Sequence, residues 1–234
     1  MEAAIENPYN SQKNGVRIAL PSDGALYDST LAFLSACGMA VERASTRRYI
    51  AEVAGVPGAL ALFQRGADIT AKVEEGTADL GFVGLDRFME SRREDGVAAV
   101  VVDDLGYGDC ELVVAVPEAW IDVTSTADLA DLAVEFREQG RELRIATKYP
   151  LLVERFLYAR GVNYFSLVLT SGTLEAAPAM GYADLIADLT ASGATMRENG
   201  LKTLTDGSIL ESQTCLIANR RLLALDAAKL NGAK

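Results

Sequence analysis

Short apolar runs separated by glycine-bearing polar segments recur along the chain. The runs at Arg17–Leu20, Arg144–Thr147 and Ala183–Ala187 are typical of buried strands, and each leads through a polar loop into a helical pattern. We predict helices over about 26–36 and 151–158, because a glycine that can take a left-handed conformation follows each pattern. This alternation of strands and helices favours an α/β fold with parallel-rich sheets covered by helices.

Two parts of the chain are similar to one another. Arg17-Ile-Ala-Leu20 and Arg144-Ile-Ala-Thr147 each begin a strand–loop–helix unit, and Gly76-Thr-Ala-Asp-Leu80 is matched by Gly181-Tyr-Ala-Asp-Leu185. Such a repeat predicts two similar α/β lobes. Chance similarity of four-residue matches is the alternative explanation.

The lobe boundaries are predicted at polar segments rich in glycine. Strand-like runs at 97–102 and 112–117 bracket Asp103–Gly108, the expected first crossing between lobes, and the return is expected near Gly200–Gly207. The resulting division has a flexible N-terminal extension over 1–15, a first lobe over 16–105 with about 203–225, a second lobe over 106–202 and a tail over 226–234.

Composition restricts the location and partners of the protein. The 234 residues are 50% hydrophobic and 24% charged, and no apolar run approaches the roughly 18 residues that a membrane span needs. The polar N-terminus lacks the features of a signal peptide, so we expect a cytoplasmic protein without a membrane partner. The net charge of −11 disfavours nucleic acid as a partner.

Cysteine and histidine content excludes several kinds of catalysis. The three cysteines are far apart, which argues against a disulfide framework and a thiolate zinc site; we predict that Cys37 and Cys215 are buried thiols. The chain has no histidine, which excludes Ser-His-Asp and Cys-His catalysis and His-ligated metals. A transfer reaction that works by positioning and charge stabilisation remains compatible with this composition.

The segment Asp188–Leu201 carries the strongest functional signal. A glycine-bearing loop with Thr190, Ser192 and Thr195 follows the 183–187 strand, and a helical turn then ends at Gly200. Backbone N–H groups and the helix dipole in such a loop favour an anion, and the Asp188 carboxylate can accept hydrogen bonds from ribose hydroxyls or face a Mg²⁺ carried by the ligand. These features predict a ribose-5-phosphate site. A solvated Ser/Thr loop with an aspartate cap is the alternative.

This segment resembles the phosphoribosyl-pyrophosphate loop of the ATP phosphoribosyltransferases, which catalyse the first step of histidine biosynthesis. Six further blocks resemble the same family in the same order: Arg17–Pro21, Gly76–Gly84, Leu105–Leu112, Ala146–Pro150, Ser171–Pro178 and Cys215–Asn219. The resemblance implies a two-lobe α/β fold of the periplasmic-binding-protein type (type II) with a central cleft. It also implies Mg²⁺-dependent transfer of the phosphoribosyl group to N1 of ATP, giving phosphoribosyl-ATP and pyrophosphate.

The resemblance implies roles for particular residues. Asp188 and Glu175 would be catalytic and contact the ribose. The implied donor-binding residues are Thr190, Ala191, Ser192, Gly193, Ala194, Thr195, Gly172 and Thr173. The implied ATP-binding residues are Lys148, Tyr149, Arg65, Asp68 and Asp109. No metal would be held by the protein alone, because Mg²⁺ would enter with the substrate.

Structural explanations compete with several of these roles. Glu175 could be a helix N-terminal acid, Lys148 a solvated cation, and Tyr149 a core residue instead of a platform for a base. Arg65 and Asp68 could form a surface ion pair.

Two departures from the family pattern affect the phosphate-binding cations. The family usually carries Lys and Arg in the loop after the first strand, whereas this chain has Ser22-Asp-Gly-Ala25, and Glu111 stands where a basic residue is usual. Either Arg47 and Arg48 supply the missing charge or the ATP side of the site has changed. A catalytically weakened paralogue and a small-molecule-binding or effector module of the same fold are therefore the alternative functions.

The resemblance also implies partners. The chain ends soon after Arg221, which is typical of the short form of the family. That form depends on a separate regulatory subunit resembling histidyl-tRNA synthetase, and we expect a homo-oligomer as well. A truncated long form is the alternative.

Overall fold

The computed structural model describes residues 15–170 and 172–221. The chain divides after Gly108 and again after Ser212 into two compact units, each built around its own sheet. Unit 2 runs Asp109–Ser212, and unit 1 comprises the described residues on either side of it. The predicted extension and tail lie almost wholly outside the described residues.

Helices and strands alternate along most of the chain, as the hydrophobic pattern predicts. In chain order the elements are β1 Arg17–Pro21, α1 Tyr27–Ala36, β2 Ile50–Glu52, β3 Leu60–Gln64, α2 Gly66–Glu74, β4 Leu80–Gly84, α3 Leu85–Ser91, β5 Ala98–Val102, β6 Cys110–Pro117, α4 Thr126–Glu138, β7 Leu143–Thr147, α5 Pro150–Ala159, β8 Phe165–Leu169, α6 Ala177–Met180, β9 Leu185–Thr190, α7 Ala194–Glu198, β10 Leu201–Ser212 and β11 Thr214–Asn219.

The sheet of unit 1 has the order β2-β3-β1-β4-β11-β5. Its centre, β3-β1-β4, is parallel; β2 pairs antiparallel with β3, β11 pairs antiparallel with β4, and β5 pairs antiparallel with β11. Apolar side chains cover both faces, with Leu34 of α1 over one face and Ile69 of α2 over the other. A Cβ at residue 81 would lie 2.7 Å from Cγ2 of Ile69, so Gly81 allows α2 to pack closely on β4.

The sheet of unit 2 repeats this plan with one strand fewer. Its order is β10-β6-β9-β7-β8, with a parallel centre β8-β7-β9; β6 pairs antiparallel with β9, and β10 pairs antiparallel with β6. Leu129 of α4 and Leu157 of α5 are buried in one core cluster, and Met196 of α7 lies in the other. Two similar α/β units are therefore present, which confirms the predicted fold class.

The sequence repeat has a structural counterpart in two arginine–aspartate clamps. Arg17 donates from its backbone N, Nε and Nη2 to the Asp79 carboxylate at 2.7, 3.2 and 3.0 Å, and from Nη2 to Gly76 O at 2.8 Å. Arg144 donates in the same way to Asp184 at 2.8, 3.1 and 3.0 Å, and to Gly181 O at 2.9 Å. Each clamp joins the start of one central strand to the start of its parallel neighbour.

The first crossing segment is fastened to unit 1. Tyr107 Oη lies 2.9 Å from Thr30 Oγ1, and the Tyr107 ring packs against Phe33 with centroids 5.7 Å apart. Burial raises the pKa of Tyr107, although its hydrogen bond with Thr30 opposes the rise. Gln213 Nε2 donates to Asp103 O at 2.7 Å, so the two crossing segments are tied together within unit 1.

The return crossing lies later than Gly200–Gly207, where the sequence placed it. Strand β10 continues through Gly207 to Ser212 and shifts register on β6 between Thr203 and Ser208. A Cβ at residue 207 would lie 3.1 Å from Val114 O, so this glycine accommodates a bulge in a continuous strand.

The cysteine prediction is half correct. Cys215 is fully buried in β11, and burial, together with the charge of Asp86, raises its pKa to about 12. Cys37 is exposed, contrary to the prediction, because it caps α1 at its C-terminus and lies outside the buried stripe of that helix.

The helices of the described residues are short. The longest of them, α4, has 13 residues, and none has the length and apolar character that crossing a membrane would require.

Candidate active site

The candidate site lies at the carboxyl edge of the parallel strands of unit 2. Thr147 at the end of β7 pairs with Leu169 at the end of β8 and with Ala187 of β9, which continues three residues further to Thr190. This register brings Lys148, the turn that follows β8, and Asp188 to one edge of the sheet. Ligands of open α/β sheets bind at this kind of edge.

Asp188 is a nearly buried carboxylate within β9. The strand continues to Thr190, beyond the predicted end at Ala187, so Asp188 belongs to the sheet and is 9% exposed. Its Oδ1 accepts a hydrogen bond from Leu189 N at 2.9 Å, and Lys148 Nζ lies 3.9 Å from its Oδ2. Lys148 is half-buried, and Asp188 is its carboxylate partner. Both features differ from those of a fully solvated lysine, which was the alternative.

We call residues 188–195 the donor loop, after the role that the sequence resemblance implies for them. Gly193 has a φ of +70°, and it precedes α7, a helix of 5 residues whose first turn contains Thr195. Two loop amides are occupied by side chains, since Gly193 N donates to Thr190 Oγ1 at 2.7 Å and Ala194 N to Ser192 Oγ at 3.4 Å.

Other amides of the donor loop are available to a ligand. The backbone N–H groups of Ala191, Ser192 and Thr195 make no hydrogen bond with any described residue. Adjacent amides of this kind in a turn can converge on an anion. Because α7 has only 5 residues, its dipole is weak, and the attraction of this loop for an anion comes mainly from the loop amides.

The turn after β8 supplies the second predicted acid. Gly172 is exposed and donates from its N–H to Thr170 Oγ1 at 3.2 Å, while Thr173 O accepts from Tyr182 Oη at 3.1 Å. Glu175 is half-buried and lies just before Ala176, the N-cap of α6, so it is not an acid of the first helical turn. Its neighbour Leu174 is fully buried and anchors the turn.

The ring of Tyr149 belongs to the core of unit 2. The residue is 1% exposed and packs within the cluster under α4 and α5, so its ring cannot stack on a base, and the packing alternative is the correct one. Tyr149 N donates to Thr147 Oγ1 at 3.0 Å, and that hydroxyl donates to Ala187 O at 2.8 Å. Thr147, which the sequence analysis did not single out, therefore joins β7, β9 and the start of α5.

The remaining predicted ATP residues are divided between the two units. Arg65 and Asp68 belong to unit 1, whereas Asp109 directly precedes β6, the strand that pairs with β9. Arg65 is the N-cap of α2 and Asp68 lies in its first turn, both exposed at the carboxyl end of β3 in unit 1. Within the part of the chain that the structure describes, no ion pair joins their side chains, so the surface ion-pair alternative is not observed. Asp109 is exposed and is the first residue of unit 2.

Arg43, which the sequence analysis missed, organises a second loop in unit 1. Its guanidinium lies 4.3 Å from the centre of the Phe63 ring and donates to Arg48 O at 2.7 Å and to Ser22 O at 2.9 Å. These bonds hold the exposed Arg47 and Arg48 beside the loop that follows β1.

Comparison with known proteins identifies the family. A sequence model described as ATP phosphoribosyltransferase matches residues 65–233. An ATP phosphoribosyltransferase of Brucella anthropi is 43% identical over 209 residues, which cover 88% of this chain and 90% of that protein. An ATP phosphoribosyltransferase of Mesorhizobium japonicum is 39% identical over 209 residues, which again cover 88% of this chain and 90% of that protein.

The chain belongs to the ATP phosphoribosyltransferase family. As a member of this family it is a pentosyltransferase that transfers the phosphoribosyl group of phosphoribosyl pyrophosphate to ATP, in the first step of histidine biosynthesis. The predicted family and activity are therefore confirmed.

Solved structures agree on the fold of this ATP phosphoribosyltransferase. The "ATP phosphoribosyl transferase (HisG:HisZ) complex" from Thermotoga maritima has a TM-score of 0.71, with 93% of both chains covered and 23% identity. The periplasmic aliphatic sulphonate binding protein SsuA from Escherichia coli has a TM-score of 0.53 at 16% identity, covering 94% of this chain and 66% of that one. The likeness to SsuA agrees with the predicted periplasmic-binding-protein type of fold.

One acidic residue of this ATP phosphoribosyltransferase lies beside the donor loop. Glu111 of β6 is directly opposite Thr190 of β9 and, on its other side, opposite Glu211 of β10. Residues that face each other across neighbouring strands project to the same side of the sheet, so Glu111 brings negative charge towards the loop.

Proposed function

We propose that the donor loop holds the 5′-phosphate of phosphoribosyl pyrophosphate through the backbone N–H groups of Ala191, Ser192 and Thr195. The observation that carries this proposal is the placement of these three amides directly after a nearly buried carboxylate, at the carboxyl edge of the parallel strands of unit 2. Gly172 and Thr173, in the exposed turn at the same edge, line the other side of the donor.

Asp188 and Glu175 act on the ribose in this proposal. Their carboxylates accept hydrogen bonds from the 2′ and 3′ hydroxyls and stabilise the positive charge that develops at C1′. The lone pair of N1 of ATP forms the new bond to C1′ as the bond from C1′ to the pyrophosphate oxygen breaks, and pyrophosphate leaves with that electron pair. No enzyme nucleophile is required, in keeping with a chain that lacks histidine.

We propose that Mg²⁺ enters with the donor. Among the described residues no three His, Cys, Asp or Glu side chains lie close enough together to hold a metal ion. Asp188 nevertheless offers the carboxylate oxygens that Mg²⁺ prefers, and Mg²⁺ is commonly held by one or two carboxylates together with substrate phosphates. When bound, the ion neutralises charge on the pyrophosphate.

Each unit offers its own cations to substrate phosphates. Lys148 already lies 3.9 Å from Asp188, where it can also reach a phosphate of the substrates. For ATP we propose Arg65, Asp68 and Asp109, which are all exposed. In this proposal Arg47 and Arg48 supply the positive charge of the Lys and Arg that the family usually carries in the 22–25 loop. They can do so because Arg43 fixes their loop next to Ser22.

We propose that a second subunit cooperates with this chain in the cytoplasm, where ATP is available. The Thermotoga maritima neighbour was solved as a HisG:HisZ complex, and the sequence resembles the form of the family that uses a histidyl-tRNA-synthetase-like subunit. Turnover with ATP, Mg²⁺ and phosphoribosyl pyrophosphate should rise on adding such a subunit. Equal turnover with and without it, at any ratio, would contradict this part of the proposal.

Asp188→Asn tests the site itself. We expect kcat to fall about a hundredfold, because losing one charge-stabilising group at a transition state costs about 3 kcal/mol. Asp184→Asn is the matched control, since Asp184 is a mostly buried acid just before the other end of β9 that is held by Arg144. The control should lose stability but keep its kcat per folded molecule. A folded Asp188→Asn enzyme with the kcat of the parent would remove Asp188 from the site.

A further inference from the structure

The peptide unit between Ser192 and Gly193 is held at both of its polar atoms. Ser192 O accepts a hydrogen bond from Arg197 Nη2 at 3.1 Å, and Gly193 N donates to Thr190 Oγ1 at 2.7 Å. The C=O and the following N–H of a trans peptide point in opposite directions, so these two hydrogen bonds hold the Ser192–Gly193 peptide group from opposite sides. Rotation of this peptide plane would have to break at least one of them.

The position of Arg197 suits this contact. Arg197 lies one helical turn after Gly193, and its own N–H donates to Gly193 O at 3.1 Å. A Cβ at residue 193 would lie 2.7 Å from Arg197 Nη1, so any larger residue there would displace the guanidinium from its present position. Arg197 is also the only basic residue between Gly161 and Leu201 in the sequence.

We propose that Arg197 is a positioning residue of the donor loop. Together with Thr190 it sets the Ser192–Gly193 peptide plane before the ligand arrives, and so arranges the neighbouring free amides for a phosphate group. The identity of the ligand rests on the proposed function. The two hydrogen bonds that hold the Ser192–Gly193 peptide, which we call the clamp of the donor loop, are a property of the unliganded loop. Arg197 acts on the loop and not on the reacting carbon, so its loss affects donor binding more than the chemical step.

Arg197→Met tests this role, because methionine is unbranched and a good helix former but donates no hydrogen bond. Arg160→Met is the matched control. Arg160 is also exposed in unit 2 and donates from Nη1 to a backbone carbonyl, Asp206 O, at 2.9 Å, but it lies at the far end of α5 from the site. Two measurements are needed: hydrogen exchange of residues 190–195 without ligand, and steady-state kinetics with varied phosphoribosyl pyrophosphate.

Arg197→Met should speed exchange of the loop and raise KM for the donor about tenfold, while kcat stays within about twofold, since a charge-assisted hydrogen bond is lost. Arg197→Lys should recover part of the loss, and Arg160→Met should match the parent. Unchanged exchange and KM in Arg197→Met would overturn the clamp while leaving the proposed function intact. A fall in kcat with unchanged KM would overturn it too. Faster exchange in Arg197→Met, together with a parent loop that the donor does not protect, would support the clamp and contradict the proposed function.

Discussion

Gly193 is the residue at which the donor loop depends most directly on backbone conformation. Its φ of +70° is one that residues with a Cβ rarely adopt, and a Cβ at this position would also displace the Arg197 side chain. We expect Gly193→Ala to weaken binding of phosphoribosyl pyrophosphate at least tenfold, measured by calorimetry in the presence of Mg²⁺.

Gly161→Ala separates loop geometry from general backbone strain. Gly161 has a φ of +77°, and nothing lies within 4 Å of the Cβ that alanine would add. This control should lose about as much stability as Gly193→Ala, roughly 1 kcal/mol, but keep its donor affinity. Equal affinities in the two variants would show that the loop does not bind the donor.

The cysteines should differ sharply in their reactivity towards an alkylating agent. Cys37 is exposed at the end of α1, whereas Cys215 is fully buried with a pKa raised to about 12. Because the thiolate is the reactive form, Cys37 should be modified first and Cys215 only on unfolding. Mass spectrometry of the partially labelled native protein checks the order, and early labelling of Cys215 would contradict the described burial.

The place of a residue in the fold was predictable where a local sequence pattern determines it. Asp188 and the glycine-bearing loop could be found because a carboxylate and small residues follow an apolar run. Tyr149 and Cys37 could not be placed, because whether a side chain packs in the core depends on contacts from distant elements. Arg43 and Arg197 act through backbone carbonyls, and such contacts leave no signature in the sequence.

Among the helices and strands, the Arg144–Asp184 clamp gives unit 2 a pH-dependent contribution to stability. Burial raises the pKa of Asp184, but hydrogen bonds and charge from Arg144, with help from Arg141, outweigh burial and lower it. A carboxyl whose pKa is lower in the folded state stabilises the fold above its unfolded pKa of about 3.9, and this contribution is lost as pH falls through the folded value.

Arg144→Met should therefore reduce the free energy of unfolding by about 1 kcal/mol at pH 7, allowing for the solvent exposure of the guanidinium. The difference from the parent should shrink as the pH falls from 5 to 3. Arg137→Met is the control, because the exposed Arg137 stacks on the Tyr164 ring at 4.1 Å and should show a loss independent of pH. Denaturant titrations at several pH values test this. A loss of unfolding free energy in Arg144→Met that does not change with pH would contradict the Arg144–Asp184 clamp.

Several elements could be predicted from the hydrophobic pattern, including the helices 26–36 and 151–158, which the structure places at Tyr27–Ala36 and Pro150–Ala159. Their apolar stripes and terminal glycines are local signals. The long strand β10 could not be predicted, because Gly207 looks like a linker residue in the sequence and serves as a strand bulge in the structure. A bulge is recognised only from its partner strand.

At the scale of the whole molecule, a net charge of −11 has to be reconciled with two polyanionic substrates. Fields from distant charges are screened beyond about 8–10 Å at cellular salt, so local groups decide phosphate binding. Unit 2 offers free amides and Lys148 for this purpose, and unit 1 offers Arg47, Arg48 and Arg65. Each unit thus has its own cationic or amide groups at the carboxyl ends of its parallel strands.

Hydrogen exchange of the donor loop tests directly whether phosphoribosyl pyrophosphate binds at residues 188–195. The protein is incubated with the donor and Mg²⁺, with ATP and Mg²⁺, and with Mg²⁺ alone, and exchange is followed by mass spectrometry. A ligand that binds amide N–H groups slows their exchange, so we expect the donor to protect 190–195 and ATP to protect it much less. Stronger protection of this loop by ATP than by the donor would contradict the assignment.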